Sequence, residues 1–211
     1  MLDALLFTKT SPLVKQLYPE CLWDVDTKEK VIYLTFDDGP IPEVTPFVLK
    51  LLKQYNAKAT FFCIGKNIEA NRDIFDQIIA EGHTVGNHTY NHLNGWQQEN
   101  ETYFENIEQC NALYPFTLFR PPYGKLKPAQ YKYLKDKYKI VMWDVLSFDF
   151  DLTVTKEKVM TNVINFSGRG SIIVFHDSIK AREKLEFVLP IIMENFSKYG
   201  YRFESLSNFA Q

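Results

Sequence analysis

Short apolar runs alternate with helix-period segments along almost the whole chain, and this alternation leaves few folds open. VIYLTF (31–36), ATFFCIG (59–65), HTVGN (83–87), FTLFR (116–120), KIVMWDV (139–145), SIIVFH (171–176) and YRFESL (201–206) read as strands. Between the first two, Thr45 as N-cap and Pro46 at the first helical position open a helix. Its apolar face is Phe47, Val48, Leu51, Leu52 and Tyr55, and Asn56 stops it. Asn71 caps a second helix that Gly82 ends. Further helices are expected over 98–113, from Pro128 to Tyr138, from Thr155, and over 182–197. Repeated β-α units favour parallel strands with covering helices. Seven strands fall short of a full (β/α) barrel, which takes about 250 residues. The expectation is therefore an α/β single domain, a distorted or incomplete (β/α) barrel of about seven parallel strands. An open doubly wound sheet competes with it, and both place their chemistry at the carboxyl ends of strands.

A chain of 211 residues that is 45% hydrophobic holds one core-bearing domain, taken as 30–211, with an N-terminal extension, 1–29, packed on it. A net charge of -2 supplies no basic field and argues against nucleic acid as partner. No apolar run approaches a membrane span. The stretch MLDALLFTKTSPLVK has no basic n-region and a broken apolar run, so the expected location is cytoplasmic. Cys21, Cys63 and Cys110 form no CxxC pair and fit neither a disulfide framework nor a zinc ribbon.

Polar residues collect where the strands end. Asp37-Asp38 follow the first strand, HTYNH with His88 and His92 the third, and RPPYG (120–124) the fourth. SFDFD with Asp149 and Asp151 follows the fifth, and the sixth ends on His176-Asp177. A barrel brings all five ends to one rim. His88 and His92, spaced i, i+4, resemble metal ligands on one helical turn. Alone they would read as two solvated histidines, but an aspartate completes a two-histidine, one-carboxylate set with open positions. Neighbouring strand residues face opposite ways, so both aspartates serve one site only if the backbone turns, which Gly39-Pro40 permits. One carboxylate can then bind metal while the other acts as a base. Arg120, held in a stiff proline loop, can hydrogen-bond a carboxylate. Asp149 can orient His176 and keep it protonated.

TFDDGP, HTYNH, RPPYG, FDFD and IIVFHD, in this order, resemble the five motifs of the polysaccharide deacetylase family, the NodB-homology or carbohydrate esterase family 4 domain. The resemblance runs over roughly residues 30 to 206. It implies a distorted (β/α) barrel and metal-dependent removal of acetyl groups from N-acetylated sugars. By motif position, Asp37 would be the base and Asp38, His88 and His92 the ligands of a divalent metal, zinc first, with cobalt, manganese or nickel as alternatives. Arg120 would orient Asp37, the Tyr123 backbone N–H would help bind the oxyanion, and His176 would be the acid tuned by Asp149. Trp96, Tyr123, Phe150 and Val174 are the expected substrate contacts, and the partner is an N-acetylated saccharide or related amide.

Three positions depart from the family pattern. Leu146 stands where the fourth motif often has aspartate, Phe150 where it has tryptophan, and Val174 where the fifth motif has leucine. An amidase or O-acetyl esterase acting on a small substrate is the alternative reading. A catalytically silent glycan-binding module is a third, and it predicts the loss of a base, an acid or a ligand. Trp143, within the fifth strand, is expected in the core, His83 is expected to be structural, and Tyr90 is a further candidate for sugar stacking.

Overall fold

A computed structural model describes residues 8–210; residues 1–7 of the expected N-terminal extension, and Gln211 of the expected domain, lie outside the described residues. The chain begins with α1 (Pro12–Leu17), β1 (Val31–Asp37), α2 (Thr45–Gln54), β2 (Thr60–Cys63), α3 (Gly65–Ala70), α4 (Arg72–Ala80) and β3 (Thr84–Asn87). It continues with α5 (Asn100–Asn111), β4 (Leu118–Phe119), α6 (Pro128–Leu134), β5 (Lys139–Ile140) and β6 (Val145–Leu146). The remaining elements are α7 (Lys156–Phe166), β7 (Ile172–His176), α8 (Arg182–Lys198) and β8 (Arg202–Phe203).

The strands form one parallel path, β5-β4-β3-β2-β1-β7-β6, with β8 beside the start of β1. This is the expected incomplete barrel, curled with helices outside. Period-two alternation along β1 sorts its residues between two environments. Ile32, Leu34 and Phe36 point outward into a core shared with Val48 and Leu52 of α2 and Val188, Leu189 and Ile192 of α8. Phe36 stacks between Phe61 and Phe175, with ring centroids 5.2 and 6.1 Å away. Each such fully buried aromatic contributes about 1.5–3 kcal/mol. The other set, Tyr33, Thr35 and Asp37, faces the barrel interior, so the strand delivers Asp37 to the inside of the rim.

The sheet ends at β5 and β6, and residues 8–25 lie across the gap between them. Leu22 N donates to Ile140 O and Met142 N to Leu22 O, both at 2.8 Å, on the β5 side. Leu146 N donates to Thr8 O at 2.8 Å and Thr10 N to Asp144 O at 2.9 Å on the β6 side. The buried Asp144 carboxylate pins the same segment through Lys15 at 2.7 Å and Lys9 at 2.9 Å, with Ser171 Oγ at 2.7 Å. Edge strands need cover, and this segment supplies it.

Several sequence expectations are corrected. The run 139–145 is not one strand: Trp143 sits in the break between β5 and β6, half-buried rather than in the core. Thr45 is the first residue of α2, after Val44 at the N-cap. Its hydroxyl faces Ile41 N and Asp177 Oδ2 instead of capping. Asn71 occupies the N-cap of α4 without a capping bond, and its Nδ2 donates instead to Pro40 O and Asn67 O. α3 was not expected at all, and α6 stops at Leu134 rather than Tyr138. Among the described residues, no helix is long and apolar enough to cross a membrane.

Candidate active site

At the end of β1, Asp37 is buried and its Oδ1 accepts from Arg120 Nη1 at 2.7 Å. Arg120 is wholly buried, an expensive place for a guanidinium unless every donor is used. Nη1 also donates to Thr35 Oγ1 at 2.7 Å, Nη2 to Met142 O at 2.8 Å and Nε to Val141 O at 3.2 Å. Its carbon centre lies 4.1 Å from the Phe62 ring centroid. Burial lowers the Arg120 pKa, and the charge of Asp37 opposes that shift. Thr35 and the two carbonyls were not singled out from the sequence. For Thr35 the available signal was its place two residues before Asp37, on the same strand face.

Asp38 leaves the strand with φ 87, so the turn that brings both aspartates to one site occurs at Asp38 itself, ahead of Gly39-Pro40. Its Oδ1 lies 3.3 Å from His92 Nε2 and 3.9 Å from His88 Nε2. The two histidines do not share a helical turn as expected. Residues 88–92 form an irregular loop with Thr89 at φ 63 and His92 at φ 57, and this loop converges the imidazoles. His88 Nδ1 lies 2.7 Å from Arg120 O, which leaves Nε2 as the free ring nitrogen facing Asp38. Burial, and then the neighbouring His92, hold the His88 pKa well below the usual imidazole value; burial lowers that of His92 too. Neutral imidazoles are the ligating form. Asp38 Oδ1 is buried with no hydrogen-bond partner, and one ligand atom from each of the three residues lies within 4.8 Å of the others. A buried carboxylate oxygen without a partner, facing two neutral imidazole nitrogens, fits a divalent cation.

Across the rim, His176 Nδ1 lies 2.7 Å from Asp149 Oδ1, and His176 N donates to Asp149 Oδ2 at 2.8 Å. Burial pulls the His176 pKa down, but the Asp149 carboxylate outweighs it and the value is raised to about 9. A raised value favours the imidazolium at neutral pH, with Nδ1 facing Asp149 and Nε2 left toward the rim. Phe150 meets the His176 ring edge-on, 4.9 Å between centroids.

Tyr123 is exposed, with φ 59 and its ring 4.7 Å from that of His92. Trp96 is also exposed, held by Nε1 on Leu126 O at 3.1 Å. Val174 is buried, in register with Thr35 below Asp37 and His176, so it offers no open surface. Tyr90 is turned away from sugar stacking, its hydroxyl on Glu69 at 2.6 Å and its ring against Gly65. His83 accepts from Ala59 N at 3.2 Å and is structural. A cavity of about 570 Å³ lies beside the rim, not over the carboxylates, with Trp143, Gly124, Met142, Val14 and Trp96 in its walls.

The family described as polysaccharide deacetylase matches residues 24–140. The chain is 36% identical over 204 residues to a peptidoglycan-N-acetylglucosamine deacetylase of Bacillus cereus, covering 92% of this chain and 96% of that protein. It is 31% identical over 191 residues to the peptidoglycan-N-acetylmuramic acid deacetylase PdaC of Bacillus subtilis, covering 87% of this chain but 39% of that one. The crystal structure of the Bc1960 peptidoglycan N-acetylglucosamine deacetylase, complexed with an N-hydroxybenzamide, superposes with a TM-score of 0.85 at 31% identity, over 95% of this chain and 97% of that one. The chain belongs to the polysaccharide deacetylase family, hydrolases of non-peptide carbon–nitrogen bonds.

Proposed function

We propose that the protein hydrolyses the acetamido group of N-acetylglucosamine units in a peptidoglycan-type glycan, releasing acetate and leaving a free amine. The observation that carries this reading is one rim holding an Arg-paired carboxylate, a His-His-Asp trio and a histidine held by Asp149. Relatives named for N-acetylglucosamine and N-acetylmuramic acid support the sugar.

Asp38, His88 and His92 would hold a divalent cation, and this nitrogen and oxygen donor set suits zinc, with cobalt, manganese and nickel as alternatives. When bound, the cation supplies Lewis acidity, polarising the acyl oxygen and lowering the pKa of water. Asp37 is the base: Arg120 occupies Oδ1, and Oδ2 takes the proton of the attacking water. The Tyr123 N–H donates to the oxygen that becomes negative at the tetrahedral stage. His176 passes its Nε2 proton to the departing nitrogen as the C–N bond breaks, while Asp149 keeps the ring oriented. Trp96 and Tyr123 offer exposed rings to the sugar.

The test is metal content of the purified protein together with acetate release from N-acetylglucosamine oligomers, before and after chelation. The expected result is about one metal per chain and acetate release that chelation stops and added zinc restores. Bound metal without acetate release overturns the substrate, and no metal after reconstitution overturns the site.

A further inference from the structure

The backbone of residues 38–40 is held at every polar group. Asp38 N donates to Phe62 O at 3.2 Å and Ile64 N donates to Gly39 O at 3.1 Å. Asn71 Nδ2 donates to Pro40 O at 3.1 Å. The peptide that joins Asp38 to Gly39 is gripped by two side chains from opposite sides. Asn67 Nδ2, from α3, donates to Asp38 O at 2.7 Å, and Gly39 N donates to Asp177 Oδ1 at 2.9 Å.

Asp177 is fully buried, and its other oxygen lies 2.6 Å from Thr45 Oγ1 at the start of α2. Its own N–H donates to Asp37 O at 3.0 Å, so it is tied to the loop by main chain and side chain alike. The approach is so close that a Cβ on Gly39 would come within 2.0 Å of Asp177 Oδ2. The bond from Gly39 N needs Oδ1 only as an acceptor, a role it fills in either protonation state.

This grip bears on one conformational choice. Asp38 sits at φ 87, a region that non-glycine residues rarely occupy and that persists only when the surroundings over-determine it. In extended conformation its side chain would point to the outer face of the sheet. The left-handed turn instead brings Oδ1 to 3.3 Å from His92 Nε2.

The geometry points to Asn67 and Asp177 as positioning residues, a two-sided clamp on the Asp38–Gly39 peptide that sets the Asp38 carboxylate at the trio it forms with His88 and His92. Neither touches the ligand atoms. The inference rests on the reading of that trio as a metal site. Groups that orient metal ligands from behind typically change affinity by about 10–100-fold when removed.

The test compares wild type, Asn67→Ala, Asp177→Ala and Asp177→Asn after chelator treatment. Zn²⁺ affinity is read by competition with a chromophoric chelator, the Co²⁺ absorption spectrum reports ligand geometry, and circular dichroism reports folding. Asn67→Ala and Asp177→Ala should each bind Zn²⁺ roughly 10–100-fold more weakly and with an altered Co²⁺ spectrum. Asp177→Asn, whose Oδ1 still accepts from Gly39 N, should restore most of the affinity. Wild-type affinity in folded Asn67→Ala, or equal losses in Asp177→Ala and Asp177→Asn, overturns the clamp while leaving the metal site standing. If Asp177→Ala does not fold, the half-buried Asn67 decides alone. A wild-type protein that binds neither ion overturns the metal site and the clamp with it.

Discussion

Arg120 Nη1 lies 2.7 Å from Asp37 Oδ1, and both side chains are closed off from solvent. Removing one partner of a buried ion pair costs about 3–5 kcal/mol because the other charge is stranded. Arg120→Ala is expected to lower urea-unfolding stability by that order. In Arg120→Ala/Asp37→Asn the stranded charge is gone, so this double variant should recover part of the loss. Purely additive losses in the double-mutant cycle would show that the pair is not coupled.

Asp37→Asn and His88→Ala separate chemistry from metal binding. The first replaces the proposed base without touching the trio, so turnover should fall by roughly 10²–10⁴ while metal content stays at the wild-type level. The second removes an imidazole and should lose metal along with activity. Parallel metal analysis and acetate assays distinguish the two patterns. Full activity in Asp37→Asn would reassign the base.

The ion pair of His176 with Asp149 sets the alkaline side of the pH profile. Burial lowers the His176 pKa, Asp149 more than compensates, and the folded value is about 9 against 6.5 for a free imidazole. A raised pKa contributes stability fully below the unfolded value and loses it as pH rises through about 9. An acid that must be protonated follows the same direction. Activity should therefore persist through neutral pH and decline above about 9. Asp149→Asn should move that decline to lower pH, as read from kcat/KM against pH.

Asp144 fastens residues 8–25 across the open side of the barrel through Lys9 and Lys15, and Ser171 Oγ donates to the same carboxylate. Burial works to raise its pKa, but these partners lower it below the ordinary value. A depressed carboxylate pKa gives stability that is present above the unfolded value and lost as pH falls through the folded one. Asp144→Ala should cost about 1–3 kcal/mol, since the buried Ser171 hydroxyl and the partly buried Lys15 lose their hydrogen bonds. The stability difference from wild type should shrink in acid, as denaturation curves across pH will show.

Much of the fold was legible because its signals are local. The short continuous apolar runs of β1, β2 and β7 and the helical spacing of α2 and α4 are set by residue type within a few positions. Trp143 was misplaced because an apolar run such as KIVMWDV has no local mark for a break between two strands. α3 was missed because Gly65–Ala70 spans six residues, too short for a periodic face. Asn71 and Thr45 have the chemistry of caps, and only the neighbouring loop and Asp177 show that their polar groups are engaged elsewhere.

The sequence by itself determined the parts of the site: two adjacent aspartates, two histidines, an arginine in a proline loop and a His176–Asp149 pair, each at a strand end. These follow from residue type and short spacing. Tertiary structure decided how they meet. Curling of the parallel sheet brought the strand ends together, although they lie as far apart in the chain as Asp37 and His176. A left-handed residue turned Asp38 inward and an irregular loop, not a helix, aimed His88 and His92. Those outcomes depend on hydrogen bonds between distant segments, such as Asn67 to Asp38 and Asp177 to Gly39, which no local pattern encodes.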